Sequence, residues 1–168
     1  MFKLIQALDT RTFLSVLNTR YQLSLARLAL IISSTADGWL YALLLPLILL
    51  LRPDQTGELV QTILLALALE RSLYYLLKNT IKRRRPPAAI DGFKPTIVAA
   101  DEFSLPSGHT SAAFLLVTFL CVGLSPLFLP LYLWAAAVGA SRVILGVHFP
   151  TDTLMGALIG TTIALAVL

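Results

Sequence analysis

The sequence predicts an all-α protein of the bilayer, and three observations carry that reading. Of 168 residues, 57% are hydrophobic and only 13% are charged, where an ordinary soluble domain is nearer half apolar and a quarter charged. Mean hydropathy is +0.82. The apolar residues fall in long runs parted by short Pro-, Gly- and charge-bearing breaks, the pattern of helices that cross or enter a membrane. A chain this short leaves no room for a separate soluble domain, so residues 1–168 read as one membrane-embedded domain.

The elements follow in order. Residues 1–20 carry Lys3, Asp9, Arg11 and Arg20 and so lack the unbroken apolar core of a signal peptide. Phe2, Leu4, Ile5 and Leu8, extended by Phe13, Val16 and Leu17, mark the stripe of an amphipathic helix lying in the interface. Leu23 to Ser34 is apolar except for Arg27, and Thr35-Ala-Asp37-Gly38 is a turn in which Asp37 is placed to cap the next helix. Trp39 to Leu51 is strongly apolar, with Pro46 expected to kink it. After the polar link Arg52 to Gly57, a long helix runs from Glu58 to about Arg84, where Pro86-Pro87 stops it. Residues 88–106 form a polar loop. Ser107 starts a helix to about Val122, a break at 123–126 leads to a helix from Phe128 to about Val147, and His148-Phe-Pro150 separates it from a last helix over 151–168. The sum is about six helices beyond the N-terminal one, several of them shorter than the ~20 residues of a full span.

If these helices alternate in direction, the ends carrying Lys78 to Arg85, Ser107 to His109 and His148 to Asp152 share one membrane face. The net charge of +4 is concentrated there, in Lys78, Lys82, Arg83, Arg84 and Arg85. Flanking apolar helices argue against nucleic acid as the partner and for anionic headgroups or a phosphate substrate. Cys121 is the sole cysteine, so no intrachain disulfide can form. No Cys/His spacing suggests zinc, and no carboxylate cluster suggests magnesium.

Three segments carry chemistry. Lys78 and Arg85 are seven residues apart, which on one helix returns both to nearly one side; a point charge and a planar fork both suit phosphate oxygens. Lys82, Arg83 and Arg84 read equally well as a juxtamembrane anchor. Pro106-Ser107-Gly108-His109 places a preferred N-cap and a glycine at a helix start, where free N–H groups favour an anion; an ordinary capped helix with an interfacial histidine would look the same. Ser141-Arg142, His148 and Asp152 straddle a proline break, so Asp152 could hold one imidazole nitrogen of His148 and leave the other free to attack, or simply bond to it structurally. Intramembrane Glu70 and Arg71 are expected to pair with neighbouring helices, although Arg71 lies on the Lys78 face and could extend the cradle.

Together, Lys78-x6-Arg85-Pro86, Pro106-Ser107-Gly108-His109 and Ser141-Arg142-x5-His148-x3-Asp152 resemble the three-part signature of the type 2 phosphatidic acid phosphatase superfamily, membrane lipid phosphatases related to vanadium haloperoxidases. The match spans residues 78–152. The resemblance implies that His148 attacks phosphorus and becomes a phosphohistidine, that Asp152 orients it, and that His109 protonates the leaving oxygen. Lys78, Arg85 and Arg142, with Ser107 and the Gly108 N–H, would hold the phosphoryl oxygens, with no metal or other cofactor. Undecaprenyl diphosphate, another isoprenoid diphosphate, phosphatidylglycerol phosphate and phosphatidate are the substrates it suggests. A lipid-to-lipid phosphotransferase with the same site is the first alternative, and a non-catalytic phospholipid-binding or transport protein the second. The second leaves both histidines without a task. The positive-inside rule would put the basic face in the cytoplasm, but Lys78 and Arg85 are placed there for phosphate. The resemblance implies instead a bacterial inner membrane with the site facing the periplasm.

Overall fold

A computed structural model describes residues 2–168, with side chains from Leu4 onward; the Phe2 and Lys3 side chains lie outside the described residues. Eight α-helices follow in order: α1 (Phe2–Leu17), α2 (Gln22–Ser34), α3 (Leu44–Leu51), α4 (Thr56–Ile81), α5 (Pro86–Ala89), α6 (Gly108–Phe119), α7 (Leu131–Ile144) and α8 (Pro150–Val167). Among the described residues the sole extended pairing is one bridge between Arg84 and Phe103.

Three helical stretches are long and apolar enough to cross a membrane, Pro53–Ile81, Pro126–Ile144 and Pro150–Val167. A fourth is the pair Gln22–Ser34 and Trp39–Leu51, bent by 41°. The bend falls at the predicted turn, where Gly38 takes φ +99°. Pro46 does not kink α3. It lies in the first turn, after a 3-10 stretch over Trp39–Leu43, where its missing N–H would have no intrahelical partner anyway.

The N-terminal helix forms, but its apolar stripe is divided. Asp9, Phe13 and Leu17, one turn apart, are buried, and the two apolar residues pack with Val143 and Phe149. Leu4 and Leu8 face outward. A single helix therefore shows one face to the bundle and another to its surroundings.

The bundle centres on α6. Leu115 and Phe119 pack on Leu59, Ile63 and Ala66 of α4 and on Leu44 and Ile48 of α3. On its other side α8 approaches until backbones touch. A Cβ added at Gly156 would lie 2.5 Å from the Ser107 carbonyl oxygen, and one at Gly160 would lie 2.8 Å from the Leu115 nitrogen and closer still to the Ser111 carbonyl. Small residues four apart let membrane helices pack this closely. The contact holds the start of α6 against the start of α8, where the Ser107 N–H donates to the Asp152 carbonyl at 3.0 Å.

Candidate active site

The long helix ends earlier than its apolar pattern suggests. Lys82 is left-handed at φ +50° and closes α4 with its N–H on the Lys78 carbonyl at 3.2 Å. Arg83, Arg84 and Arg85 then run on toward α5. Lys78 and Arg85 are thus not two turns of one helix, as predicted. Lys78 closes a buried row with Ala66, Glu70 and Tyr74 on α4, and Arg85 reaches back from beyond the helix end.

What joins them is Asp101, in the loop that reads as a mere connection. Its Oδ2 accepts from Lys78 Nζ and Tyr74 Oη, both at 2.5 Å, and its other oxygen pairs with Arg85 Nη2. Burial works against the ionised carboxyl, but the hydrogen bonds from Lys78, Tyr74 and Arg85 outweigh it and hold Asp101 well below the usual carboxylate range. Asp101 therefore stays an anion and neutralises part of the cradle.

The second segment is held differently from the expected cap. Ser107 occupies the N-cap position of α6, yet its side chain caps no backbone N–H. It is fully buried, and its Oγ accepts from Thr110 Oγ1 at 2.9 Å. At Gly108 the close neighbour is the Tyr74 ring, which a Cβ would meet at 2.9 Å. His109 Nε2 lies 3.0 Å from Asp37 Oδ1. Asp37 makes no helix-capping bond of its own; it partners the histidine across the fold.

The third segment depends on Gly146. Its φ of +80° turns the chain out of α7, and a Cβ there would strike the Phe93 ring at 2.7 Å. The turn buries His148 against Asp152, which sits in the first turn of α8 and accepts the Phe149 N–H at 2.7 Å. His148 Nδ1 is 3.7 Å from Asp152 Oδ2, beyond hydrogen-bond range, and has no other partner among the described residues. Its Nε2 lies 3.3 Å from Arg85 Nη1. Burial lowers the His148 pKa to about 4, with Asp152 opposing and Arg85 and Arg142 adding to the drop. The uncharged ring is therefore favoured at neutral pH, with its Nε2 lone pair turned toward the Arg85 N–H. Arg142 Nη1 donates to Ser33 Oγ at 2.7 Å, while its buried Nε has no partner among the described residues.

Lys78, Arg85, Gly108, His109, Arg142 and His148 line one cavity of about 760 Å³. Ser107 and Asp152 lie buried behind that lining. Arg71 also borders the cavity, but it pairs with adjacent Glu70 at 2.9 Å, not with a neighbouring helix. Sequence reasoning missed Asp101, the pairing of Asp37 with His109, and the role of Arg83. Arg83 reads in sequence as a lipid-surface anchor, but it bonds Asp152 at 2.7 Å and Asp9 at 2.6 Å. These partners are 16 to 74 residues distant from what they touch, and no local spacing marks them.

A family model described as the PAP2 superfamily matches residues 59–168, about two thirds of the chain, and includes all three segments. The chain belongs to the PAP2 superfamily. Two solved structures agree in fold. LpxE of Aquifex aeolicus superposes with a TM-score of 0.78 at 29% identity, covering 94% of this chain and 92% of that one. A transmembrane PAP2-type phosphatidylglycerolphosphate phosphatase of Bacillus subtilis gives 0.75 at 28% identity, covering 97% of this chain and 84% of the other. The protein is an integral membrane enzyme of the lipid phosphatase class. In this PAP2 protein Lys78, Arg85, Gly108, His109, Arg142 and His148 line one cavity, and Ser107 and Asp152 are buried beside Gly108 and His148.

Proposed function

We propose that this PAP2 phosphatase hydrolyses a lipid phosphomonoester or diphosphate through a phosphohistidine on His148, working as one membrane-embedded unit. Supporting this reading above all is the meeting of six signature residues from three separate segments in one cavity, with the uncharged His148 presenting Nε2 beside Arg85. Phosphoryl transfer needs chiefly positioning and charge compensation. Lys78, Arg85 and Arg142 supply three cations at the cavity wall. Ser107 and the Gly108 N–H mark the helix-start end of the cradle.

In the first step His148 Nε2 forms a bond to phosphorus while the bond from phosphorus to the lipid oxygen breaks, and protonated His109 gives that oxygen its proton. Neutral His109 then takes a proton from water as the water oxygen attacks phosphorus. The P–N bond breaks, phosphate leaves and His148 returns uncharged. Asp152 faces the imidazole side that does not react, 3.7 Å from Nδ1, and favours the positive charge that develops on the ring.

A lipid substrate is supported by a second, apolar groove of about 400 Å³ bordered by Trp39, Leu43, Leu47, Leu120 and Trp134. A small pocket between them shares Tyr41 and Ala112 with the polar cavity and Leu116 with the groove. A headgroup and its chain would occupy these two spaces. An isoprenoid diphosphate such as undecaprenyl diphosphate ranks first, because Arg71, which pairs with Glu70 through one nitrogen only, borders the same cavity and keeps further N–H groups for a second phosphate; phosphatidylglycerol phosphate and phosphatidate follow. We place the protein in a bacterial inner membrane with its site toward the periplasm.

The test is phosphate release by purified protein in detergent with EDTA against these lipids, beside His148→Ala. Release that survives EDTA and is lost in the variant is expected. A folded wild type that releases phosphate only when a second lipid is added would identify a phosphotransferase instead.

A further inference from the structure

Arg83 is one of the six unspecified positions between Lys78 and Arg85 in the first signature segment, yet all five of its N–H groups are engaged. Nη1 donates to Asp152 Oδ1 and Thr151 Oγ1, each at 2.7 Å. Nη2 donates to Asp9 Oδ2 at 2.6 Å and Gln6 Oε1 at 2.8 Å, and Nε donates to Gln6 at 3.2 Å. The guanidinium also lies 4.6 Å from the centre of the Phe149 ring. Its two carboxylate partners are almost wholly buried, at 2% and 0% side-chain exposure. A headgroup anchor would keep its charge in water; this arginine is enclosed between α1 and α8.

We propose that Arg83 and Asp9 are positioning residues, a fixed charge pair that sets how strongly Asp152 acts on His148. The inference rests on the reading of His148 as nucleophile. Asp152 has one oxygen on Arg83 and the other on the Phe149 N–H, so its carboxylate cannot turn away from the imidazole. Arg83 screens the negative charge that reaches His148. Asp9, which also accepts the Thr151 N–H at 3.1 Å, weakens that screening by sharing the guanidinium. The N-terminal helix, which also packs Phe13 and Leu17 on the bundle, thereby contributes to the catalytic centre.

The charge order gives two opposite consequences. Neutralising Asp9 leaves Arg83 acting on Asp152 alone, and the His148 pKa falls. Neutralising Arg83 exposes Asp152, and the His148 pKa rises. The other titratable groups that line the cavity with His148 are Arg85, Asp101 and Glu102 from the turn and loop, Arg71, Tyr74, Tyr75 and Lys78 from α4, His109 from α6, Asp37 and Tyr41 between α2 and α3, and Arg142 from α7. They are the same in both variants, so a change of sign isolates the pair.

The chain has two histidines, so a ¹⁵N-histidine NMR titration of the full protein in micelles follows His148 directly, with His148→Ala assigning its signal. Asp9→Asn is expected to lower the His148 pKa and Arg83→Gln to raise it, each by about half a unit or more. Arg83→Lys should lie nearer wild type than Arg83→Gln. The acid limb of kcat/KM on a water-soluble phosphomonoester should move in the same directions. Shifts of the same sign, or no shift in either folded variant, overturn the proposal. If Arg83→Gln does not fold, an unchanged or raised value in Asp9→Asn alone overturns it. A wild type without turnover on any lipid or soluble ester would defeat the phosphatase reading, while the titration would still decide whether the pair acts.

Discussion

Substituting Gly156 by alanine should damage the site from behind without touching substrate. The added Cβ would lie 2.5 Å from the Ser107 carbonyl oxygen, 3.2 Å from the Ser111 nitrogen and 3.3 Å from Thr110 Cβ. The first of these is carbon against backbone oxygen, and no side-chain rotation relieves it. To reach ordinary contact, α6 and α8 must part by roughly 0.5–1 Å, given that unstrained carbon contacts start near 3.5 Å. Overpacking of that kind costs about 1–3 kcal/mol. The movement falls where the Ser107 N–H meets the Asp152 carbonyl, so Gly108 and His109 shift relative to His148. A misplacement of about 1 Å can lower turnover roughly 100-fold. Gly57 is the control, since a Cβ there meets nothing within 4 Å; Gly57→Ala near the start of α4 should keep turnover and gain up to about 1 kcal/mol in helix propensity. Thermal unfolding in detergent and phosphate release from the same preparations measure both effects. If Gly156→Ala melts and turns over like wild type, backbone contact between α6 and α8 does not set the site.

Asp101→Asn should strengthen binding of inorganic phosphate as a competitive inhibitor by about 5- to 30-fold. A partly screened ion pair of this kind is worth about 1–2 kcal/mol, since the Asp101 side chain is 37% exposed; weaker inhibition would show that Asp101 serves to hold Lys78 and Arg85 in place. With the His148 pKa lowered by burial to about 4, the group is uncharged throughout the neutral range. The kcat/KM of free enzyme should therefore rise as pH falls through the neutral range, because His109 must be protonated and burial lowers its pKa from the ordinary value, and fall again only as His148 protonates near pH 4; an acid limb near the ordinary histidine value of about 6.5 would mean the His148 ring is hydrated. Asp37→Asn removes the partner 3.0 Å from His109, which should lower kcat about 10- to 100-fold with a smaller change in KM, if protonation of the leaving oxygen carries the usual weight of acid catalysis.

The parts legible in sequence are those whose chemistry repeats at short range. Apolar runs locate the spans, and Pro150 locates the break that frees His148. The three signature segments mark the cavity lining, because each contains its own cations or histidines. Arg85 is found by spacing but placed by the wrong geometry, since nothing local announces that Lys82 turns left-handed after Ile81. Asp101 is invisible for a different reason. A lone aspartate in a polar loop resembles any solvated residue until the fold carries it to Lys78. Arg83 is hidden among like charges, and its buried partner Asp9 looks like an interruption of an amphipathic stripe. The close pair Gly156 and Gly160 does leave a signal, two glycines four apart in an apolar helix. That spacing alone is enough to mark the last helix as one that packs closely on another.

The chemistry stands on His148 carrying the phosphoryl group. Rapid quenching of the wild type with lipid labelled in its terminal phosphate, followed by peptide mapping, tests this most directly. The expected label is stable to base, labile to acid, and confined to the peptide containing His148. A label on the peptide containing His109, or none while turnover proceeds, would contradict it.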